Sequence, residues 1–228
     1  MAARGLSVPA GTVASVTSQE DRPAGVFLAF EGGEGAGKST QVARLEAWLT
    51  AQGRTVRTTR EPGATVIGGT VRQLLLDPST VGLSSRAEAL LYAADRAQHV
   101  HEVVRPALEA GAVVVTDRFV DSSLAYQGAG RTIPLEDVRS ISSWATGGLL
   151  PDLTVLLDLP PETGLARARG RATADRLEAE SLEFHLRVRQ TFLELAAAEP
   201  ARYLVLDATA APDEVAEGIR TRVTELLA

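Results

Sequence analysis

The sequence predicts an α/β protein in which a five-stranded parallel sheet lies between two layers of helices. Short apolar runs typical of buried strands alternate with longer segments of helical periodicity along the whole chain. Strands joined through helices in this way are parallel, because the chain must cross over between them. The strands are predicted at 26–31, 55–60, 112–117, 153–159 and 203–208.

The predicted helices connect these strands. The first shows the pattern clearly, because Leu45, Trp48 and Leu49 recur at helical spacing. In open sheets of this kind ligands bind beyond the carboxyl ends of the strands, so the residues just after each strand are candidates for a site. The helices are predicted at 38–52, 85–110, 134–146, 161–169, 175–198 and 212–227.

Composition narrows the class of protein. The 228 residues carry a formal net charge of -6, which argues against a general nucleic-acid binder. The chain contains no cysteine, as suits a reducing compartment, and no apolar stretch long enough for a membrane span. A cytoplasmic protein without a membrane partner is therefore expected. Residues 1–24 lack periodicity and predict a disordered extension before a single domain at 25–228; a targeting segment is the alternative for them.

A glycine-rich loop follows the first predicted strand. Gly32 to Ser39 match G-x-x-x-x-G-K-[ST], and the loop lies between a strand and a helix, as a phosphate-binding loop does. Glycines let backbone N–H groups converge on phosphate oxygens, and Lys38 reaches the terminal phosphates. The pattern predicts a three-layer P-loop NTPase fold that binds a nucleoside triphosphate. The predicted contacts are Gly32, Gly33, Glu34, Gly35, Ala36, Gly37, Lys38, Ser39 and Thr40.

Magnesium is the metal expected at this loop, held mainly by the phosphates. The Ser39 hydroxyl can ligate the ion, as the serine or threonine of such loops does. Asp117 ends the third predicted strand, where a Walker B carboxylate holds the ion, partly through water. The alternative interpretation of Asp117 is an aspartate that begins a turn after a strand.

Two further groups of side chains predict a second binding site. Tyr92 and Arg96 are four residues apart in a predicted helix, so a base can stack on one and accept a hydrogen bond from the other. The alternative is a core aromatic beside a surface arginine. The second group follows Asp117 and consists of Ser122, Ser123, Tyr126 and Gln127. The alternative for this group is a helix N-terminus with ordinary serines.

Five blocks occur in order: "FEGGEGAGKST", "TREPGAT", "LLYAADRAQHV", "DRFVDSSLAYQGAGR" and "RARGRATADRLEAES". On these blocks, over about residues 26–190, the chain resembles the thymidylate kinase family. The resemblance implies the nucleoside monophosphate kinase fold, the reaction ATP + dTMP → ADP + dTDP, and a homodimer. The chain departs from the family at Tyr92, where phenylalanine is usual; tyrosine keeps the stacking surface and adds a hydroxyl.

The resemblance also implies where the acceptor nucleotide binds. It places Ser123 and Gln127 near the base, Tyr126 beneath the deoxyribose and Glu34 at the 3′-hydroxyl, directly or through an arginine. It suggests a cis bond between Glu61 and Pro62. Guanidinium groups bind phosphate in bidentate fashion, so arginines are expected at the acceptor phosphate. The predicted acceptor site consists of Glu34, Arg60, Pro62, Arg72, Tyr92, Arg96, Arg118, Ser122, Ser123, Tyr126 and Gln127.

The arginine-rich segment at about 166–178 resembles the mobile lid that closes over ATP in the family. Since the phosphate loop contains no arginine, the resemblance implies a catalytic arginine in the lid. Solvated arginines paired with nearby glutamates are the alternative. No general base is expected, because an acceptor phosphate with a second pKa near ~6 is already largely dianionic at pH 7. The predicted catalytic residues are Lys38, Arg118, Arg171, Arg167 and Glu34.

Two other functions remain open on the sequence. One is a kinase for another nucleoside or deoxynucleoside monophosphate. The other is a non-catalytic nucleotide-binding switch. A GTPase-like switch would carry an N-K-x-D segment that reads guanine, and the sequence has none. Such a switch would also leave the two acceptor-like blocks without a role.

Overall fold

A computed structural model describes residues 24–169 and 175–228. Within them, five parallel strands form one sheet in the order β2-β3-β1-β4-β5, flanked by helices, which confirms the predicted fold class. Each predicted strand is correct to within one residue at either end. The strands are β1 (Val26–Glu31), β2 (Val56–Arg60), β3 (Val113–Asp117), β4 (Leu153–Asp158) and β5 (Tyr203–Asp207).

The helices follow the strands in alternation. Two π-helical segments, Val100–Val104 and Leu124–Gly130, extend α3 and α5 respectively. The α-helices are α1 (Lys38–Ala51), α2 (Val66–Leu76), α3 (Ser85–His99), α4 (Arg105–Glu109), α5 (Val120–Ser123), α6 (Leu135–Thr146), α7 (Pro161–Arg169), α8 (Leu182–Ala198) and α9 (Pro212–Leu227).

Helix α2 is absent from the sequence prediction. Its first turns contain Gly68 and Gly69, and glycine is among the poorest helix formers. Tertiary packing overrides this propensity, because Val71 and Leu75 are buried on one face. The Thr65 hydroxyl caps the helix by accepting a hydrogen bond from the Gly68 amide at 2.9 Å.

Two predicted helices have wrong bounds. The helix predicted at 85–110 changes to π geometry after His99, and α4 then begins with Pro106 in its first turn, where a missing N–H is tolerated. The helix predicted at 175–198 begins only at Leu182. Asp175 accepts hydrogen bonds from the amides of residues 177 and 178, but this closes a single turn, and Ser181 caps the helix itself.

The central strand divides the core into two clusters. Phe27 and Ala29 point to one face of the sheet, whereas Leu28 and Phe30 point to the other, and all four are fully buried. This follows from the two-residue period of a strand that is covered on both sides. Asp117 is paired in register with Phe30 and Arg60, which brings the carboxyl ends of β1, β2 and β3 together at one edge of the sheet.

Residues 1–23 and 170–174 lie outside the described residues. Nearly all of the predicted disordered extension, and the middle of the predicted lid, fall in these ranges. Both therefore remain predictions, as does the single domain at 25–228. No helix among the described residues is long and apolar enough to cross a membrane.

Candidate active site

The loop between β1 and α1 folds around the side chain of Lys38, which is the only lysine in the chain. Its Nζ atom donates hydrogen bonds to the carbonyl oxygens of Gly32 at 3.0 Å and Gly33 at 2.9 Å. Burial, followed by the charge of Arg118, lowers its pKa from the usual value. The ammonium group is thus held at the loop before any phosphate arrives.

Two glycines give this loop its shape. Gly37 immediately precedes α1 with φ +91°, and Gly35 has φ +67°; both angles are readily accessible only to glycine. A Cβ atom on Gly35 would lie 2.2 Å from the carbonyl oxygen of Gly164 in α7. The loop can therefore pack closely against α7.

Two adjoining cavities open at the carboxyl ends of the strands. We call them the loop cavity, about 340 Å³, and the inner cavity, about 190 Å³. The loop cavity is lined by residues 34–40 with Arg60, Glu61, Arg72, Asp117, Arg118, Ala168, Asp175 and Glu178. The inner cavity is lined by Glu34, Glu61, Pro62, Arg72, Leu76, Tyr92, Arg118, Ser122, Ser123, Tyr126, Gln127, Asp175, Leu177 and Glu178.

The inner cavity collects the predicted acceptor residues with two exceptions. Arg60 lines the loop cavity instead. Arg96 is only 1% exposed and lies behind the cavity wall, where it donates to Glu61 Oε2 at 2.8 Å and Ser123 Oγ at 3.0 Å. In this structure Arg96 therefore braces two lining residues, and its contact with a base stays a prediction.

Glu34 and Arg118 form the boundary between the cavities. Arg118 Nη2 lies 2.7 Å from Glu34 Oε1, and the Tyr126 hydroxyl donates to the same oxygen at 2.8 Å. Burial acts to raise the pKa of Glu34, but the charges of Arg118 and Lys38 outweigh it and lower the pKa to about 2. Glu34 is thus a carboxylate at neutral pH and orients the guanidinium group beside it.

Glu61, Asp95, Arg96 and His99 form a buried network beside the cavities, and the sequence analysis named only Arg96 as a site residue. Glu61 accepts from Arg96, its Oε1 lies 2.8 Å from His99 Nδ1, and Asp95 Oδ1 accepts from the Gly63 amide at 2.9 Å. Burial, with the charge of Glu61, raises the pKa of Asp95 to about 6. Three polar residues at positions 95, 96 and 99 share one face of α3, and this polar stripe was the available signal.

This group supports a cis peptide bond between Glu61 and Pro62, which confirms the expectation from the family resemblance. Arg72 Nη1 donates to the Pro62 carbonyl oxygen at 2.9 Å. Burial and the neighbouring charge of Arg60 lower the pKa of Arg72 from its usual value. Two arginines thus lie close together beside the cavities, an arrangement that favours an anion between them.

Gln127 has a defined orientation. Its Nε2 atom donates to Glu88 Oε1 at 2.9 Å, and Glu88 also accepts from Arg131 at 3.2 Å and from Arg176 at 2.6 Å. A carboxylate only accepts hydrogen bonds, so the amide nitrogen must face Glu88. No hydrogen bond from a described residue reaches the side-chain carbonyl oxygen of Gln127, which can therefore accept one within the inner cavity.

None of the predicted lid arginines that the structure describes lines either cavity. Arg171 lies outside the described residues. Arg167 Nη1 donates to the carbonyl oxygen of Ala208 at 3.1 Å and lines neither cavity. Arg176, beyond the gap, donates to the Leu75 carbonyl oxygen at 2.7 Å and so connects the end of the predicted lid to α2.

The predicted magnesium ligands lie together. Ser39 Oγ donates to Asp117 Oδ2 at 3.1 Å, and both residues line the loop cavity. A hydroxyl and a carboxylate are oxygen ligands of the kind Mg²⁺ prefers. The donor set therefore fits a magnesium ion that takes its other ligands from phosphate and water.

These features define the class of protein as a P-loop phosphotransferase that brings two anionic ligands together. The family model described as thymidylate kinase matches residues 30–219. The chain belongs to the thymidylate kinase family and is a kinase, as the resemblance implied.

Relatives agree with this assignment. Thymidylate kinase from Cutibacterium acnes is 57% identical over 203 residues, which cover 89% of this chain and 98% of the relative. The Deinococcus radiodurans thymidylate kinase is 57% identical over 201 residues, 88% of this chain and 97% of the relative. The crystal structure of thymidylate kinase from Ehrlichia chaffeensis superposes with a TM-score of 0.71 at 30% identity, covering 90% of this chain and all of that one.

Proposed function

We propose that ATP binds in the loop cavity, dTMP binds in the inner cavity, and the γ-phosphate passes between them to give ADP and dTDP. One observation carries this proposal: Arg118, Arg72 and Glu34 line both cavities. Two ligands that share these walls meet through their phosphates. Two arginines at the meeting point offset the repulsion between two polyanions, which is the main obstacle to phosphoryl transfer.

In the proposed reaction an oxygen of the dTMP phosphate attacks the γ-phosphorus of ATP. The new P–O bond forms as the bond from the γ-phosphorus to the β,γ-bridging oxygen breaks, and ADP leaves with that electron pair. No side chain has to remove a proton, because the acceptor phosphate is already largely a dianion at pH 7. Lys38 and Arg118 stabilise the charge on the transferred group and hold the reactants in line.

The inner cavity has the chemistry to select thymine. The ring of Tyr92 offers a stacking surface, and the outward carbonyl oxygen of Gln127 accepts a hydrogen bond from the N3–H of thymine or uracil. Cytosine has no hydrogen on N3, so this contact favours a keto pyrimidine. Tyr126 and Glu34, joined at 2.8 Å, would lie beneath the sugar and disfavour a 2′-hydroxyl.

Ser39 and Asp117 would hold Mg²⁺ in this proposal. Bound there, the ion would neutralise part of the charge on the β- and γ-phosphates. Lys38 and the loop amides would bind the remaining phosphate oxygens. The proposal also includes a cytoplasmic location, which is supported by the family.

We include a homodimer in the proposal, because α2 and α3 pack against each other and expose apolar side chains. Ile67, Leu74 and Leu90 are 58%, 48% and 56% exposed. Ile67 and Leu74 are seven residues apart and share a helix face. Leu90→Glu should shift the mass measured by light scattering toward the monomer. Val205→Glu, at a similarly exposed position on β5, should not.

The activity test compares ADP production with ATP·Mg²⁺ and dTMP, dUMP, dCMP, AMP or GMP as acceptor. We expect the highest kcat/KM with dTMP, weaker use of dUMP and little with dCMP. Gln127→Leu should narrow the gap between dTMP and dCMP, whereas Gln127→Glu should lower turnover of both keto pyrimidines. Preference for AMP or GMP would contradict the assignment of the inner cavity.

A further inference from the structure

Glu31, the last residue of β1, is fully buried and lies outside every residue set assigned above. Its carboxylate accepts three hydrogen bonds from one short segment. Oε1 accepts from the amides of Phe119 at 2.8 Å and Ser122 at 3.1 Å, and Oε2 accepts from the Ser122 hydroxyl at 2.6 Å. Helix α5 has no cap from its own side chains, so a glutamate from another strand caps it.

The segment that Glu31 holds begins with a strained residue. Arg118 has φ +72°, in the left-handed region that an arginine rarely adopts. Its amide donates to the Phe30 carbonyl oxygen at 2.9 Å, and its own carbonyl oxygen accepts from the Thr116 hydroxyl at 2.9 Å. Glu31 binds the next amide along the chain. Such a conformation persists only where surrounding contacts enforce it.

The same carboxylate orients the Arg118 side chain. Because the Ser122 hydroxyl gives its hydrogen to Glu31, its oxygen is left to accept from Arg118 Nη1 at 3.1 Å. The other end of the guanidinium, Nη2, contacts Glu34 at 2.7 Å. Glu31 thereby controls both the backbone and one end of the side chain that borders the two cavities.

We propose that Glu31 is a positioning residue that holds Arg118 in its strained conformation and aims its guanidinium at the transferred phosphate. The inference rests on the proposed function of Arg118 at the meeting point of ATP and dTMP. Glu31 itself is walled off from both ligands, and it acts only through Ser122 and the backbone of residues 118–122.

The ionised form of Glu31 does not stabilise the fold. Burial, and next the charge of Asp121, raise its pKa to about 7, while Arg118 acts in the opposite direction. Lys38 and Tyr203 also face it. A pKa raised above that of the unfolded chain means that stability is lost as the pH rises through about 7. At pH 8 the carboxylate therefore weakens the fold while it positions Arg118.

The test is Glu31→Gln, studied at pH 8. The amide keeps the size but has only one accepting oxygen, so either the Ser122 hydroxyl or the two amides lose their acceptor. We expect kcat to fall at least about tenfold, since misplacement of a catalytic group by 1 Å can cost about 10²-fold. The melting temperature at pH 8 should change little, because removal of a buried charge offsets the lost hydrogen bond.

Asp121→Asn is the matched control. Asp121 is also a buried carboxylate of α5, but it bonds Arg202 at 3.0 Å and Thr154 at 3.3 Å and makes no hydrogen bond to residues 118–119. We expect this variant to lose stability and keep kcat within a few fold. An equal loss of kcat in Asp121→Asn would overturn the proposal. A loss of kcat in Glu31→Gln that is accompanied by a lower melting temperature would also overturn it.

A double-mutant cycle tests the route through Arg118. In an Arg118→Ala background, Glu31→Gln should lower single-turnover rates by less than twofold further, because its target is gone. The same factor in both backgrounds would overturn the proposal. If Arg118→Ala alone leaves the rate unchanged, the proposed function of Arg118 is wrong and the positioning role falls with it. If Arg118→Ala still phosphorylates dTMP, the substrate assignment stands and only the proposed function of Arg118 is wrong.

Discussion

The two cavities of the active site differ in how the chain builds them. One continuous stretch, residues 34–40, forms one side of the loop cavity with its backbone and the Lys38 side chain, and eight residues from elsewhere in the chain complete it. The inner cavity is made by residues from the loops after β1, β2 and β3, from α2, α3 and α5 with its π-helical extension, and from the segment 175–178. Backbone chemistry binds any phosphate, whereas convergent side chains select one nucleotide. The difference separates general phosphate binding from substrate choice within one site.

The largest effect is expected at Lys38. Lys38→Ala should lower kcat by at least about 10³, at the upper end for loss of one preorganised charge donor, while the fold stays intact. Steady-state kinetics with ATP and dTMP measures it. Near-normal turnover would show that the loop does not bind ATP.

Lys38 also gives a direct assay of the comparison, because the chain has no other lysine. An amine-specific reagent followed by peptide mass spectrometry should modify this loop, apart from the chain terminus. ATP should protect Lys38, and dTMP alone should protect it far less. Equal protection by both nucleotides would mean that the two cavities do not divide the ligands as proposed.

The second-largest loss of kcat is expected for the predicted lid arginine Arg171. Arg171→Ala is expected to lower kcat by at least ~10², because an arginine at a phosphoryl-transfer transition state can contribute on the order of 10³–10⁵. The dTMP dissociation constant, measured by calorimetry, should change much less. Arg171→Lys should restore only part of the rate, since lysine lacks the planar fork.

Arg167→Ala is the companion variant. Arg167 donates to the Ala208 carbonyl oxygen and lines neither cavity, so a smaller loss is expected than for Arg171→Ala. If neither change slows the reaction more than a few fold, the arginines of this segment are solvated charges and the lid prediction is wrong.

A smaller effect is expected at Glu34, which the loop contributes to the inner cavity. Its pKa of about 2 lies below the usual 4.5, so it stabilises the fold above the unfolded pKa and loses this contribution as the pH falls toward 2. Glu34→Gln should reduce unfolding free energy by up to about 3 kcal/mol at pH 7 and much less near pH 2.5. Urea unfolding at both pH values measures it; an equal loss at both would contradict the ionic contact with Arg118.

The smallest effect is expected for the residue proposed to stack on the thymine base. Tyr92→Ala should weaken dTMP binding by about 1–3 kcal/mol, the usual contribution of stacking on an aromatic ring, with little change in ATP affinity. Tyr92→Phe should keep most of the affinity because it keeps the ring. Calorimetry with each nucleotide separates the cases. Parallel losses for ATP and dTMP would indicate collapse of a core aromatic residue, which is 8% exposed.

The sequence alone determined the elements that depend on local chemistry. The inner strands β1, β3 and β4 are visible as mainly apolar runs, because a strand covered on both faces has no polar side, whereas the edge strand β2 has the sequence VRTTR. Helix α2 was not predicted, because its two glycines have low helix propensity. The packing of Val71 and Leu75, which stabilises the helix, is visible only in the tertiary structure. The start of α8 was also predicted wrongly, because Asp175 accepts hydrogen bonds from the amides of residues 177 and 178 in a single turn, as a capping residue does at the start of a helix.

The same division holds in the site. The phosphate loop was predicted residue by residue, because its function resides in backbone geometry that a contiguous pattern of glycines specifies. The family resemblance added the acceptor residues. Only the tertiary structure showed that Arg96 contacts the residues of the wall and that Glu31 accepts hydrogen bonds from the segment that follows the strained Arg118. A buried carboxylate and its three donors lie about 90 positions apart in the chain, and no local pattern specifies which groups meet when strands are placed side by side.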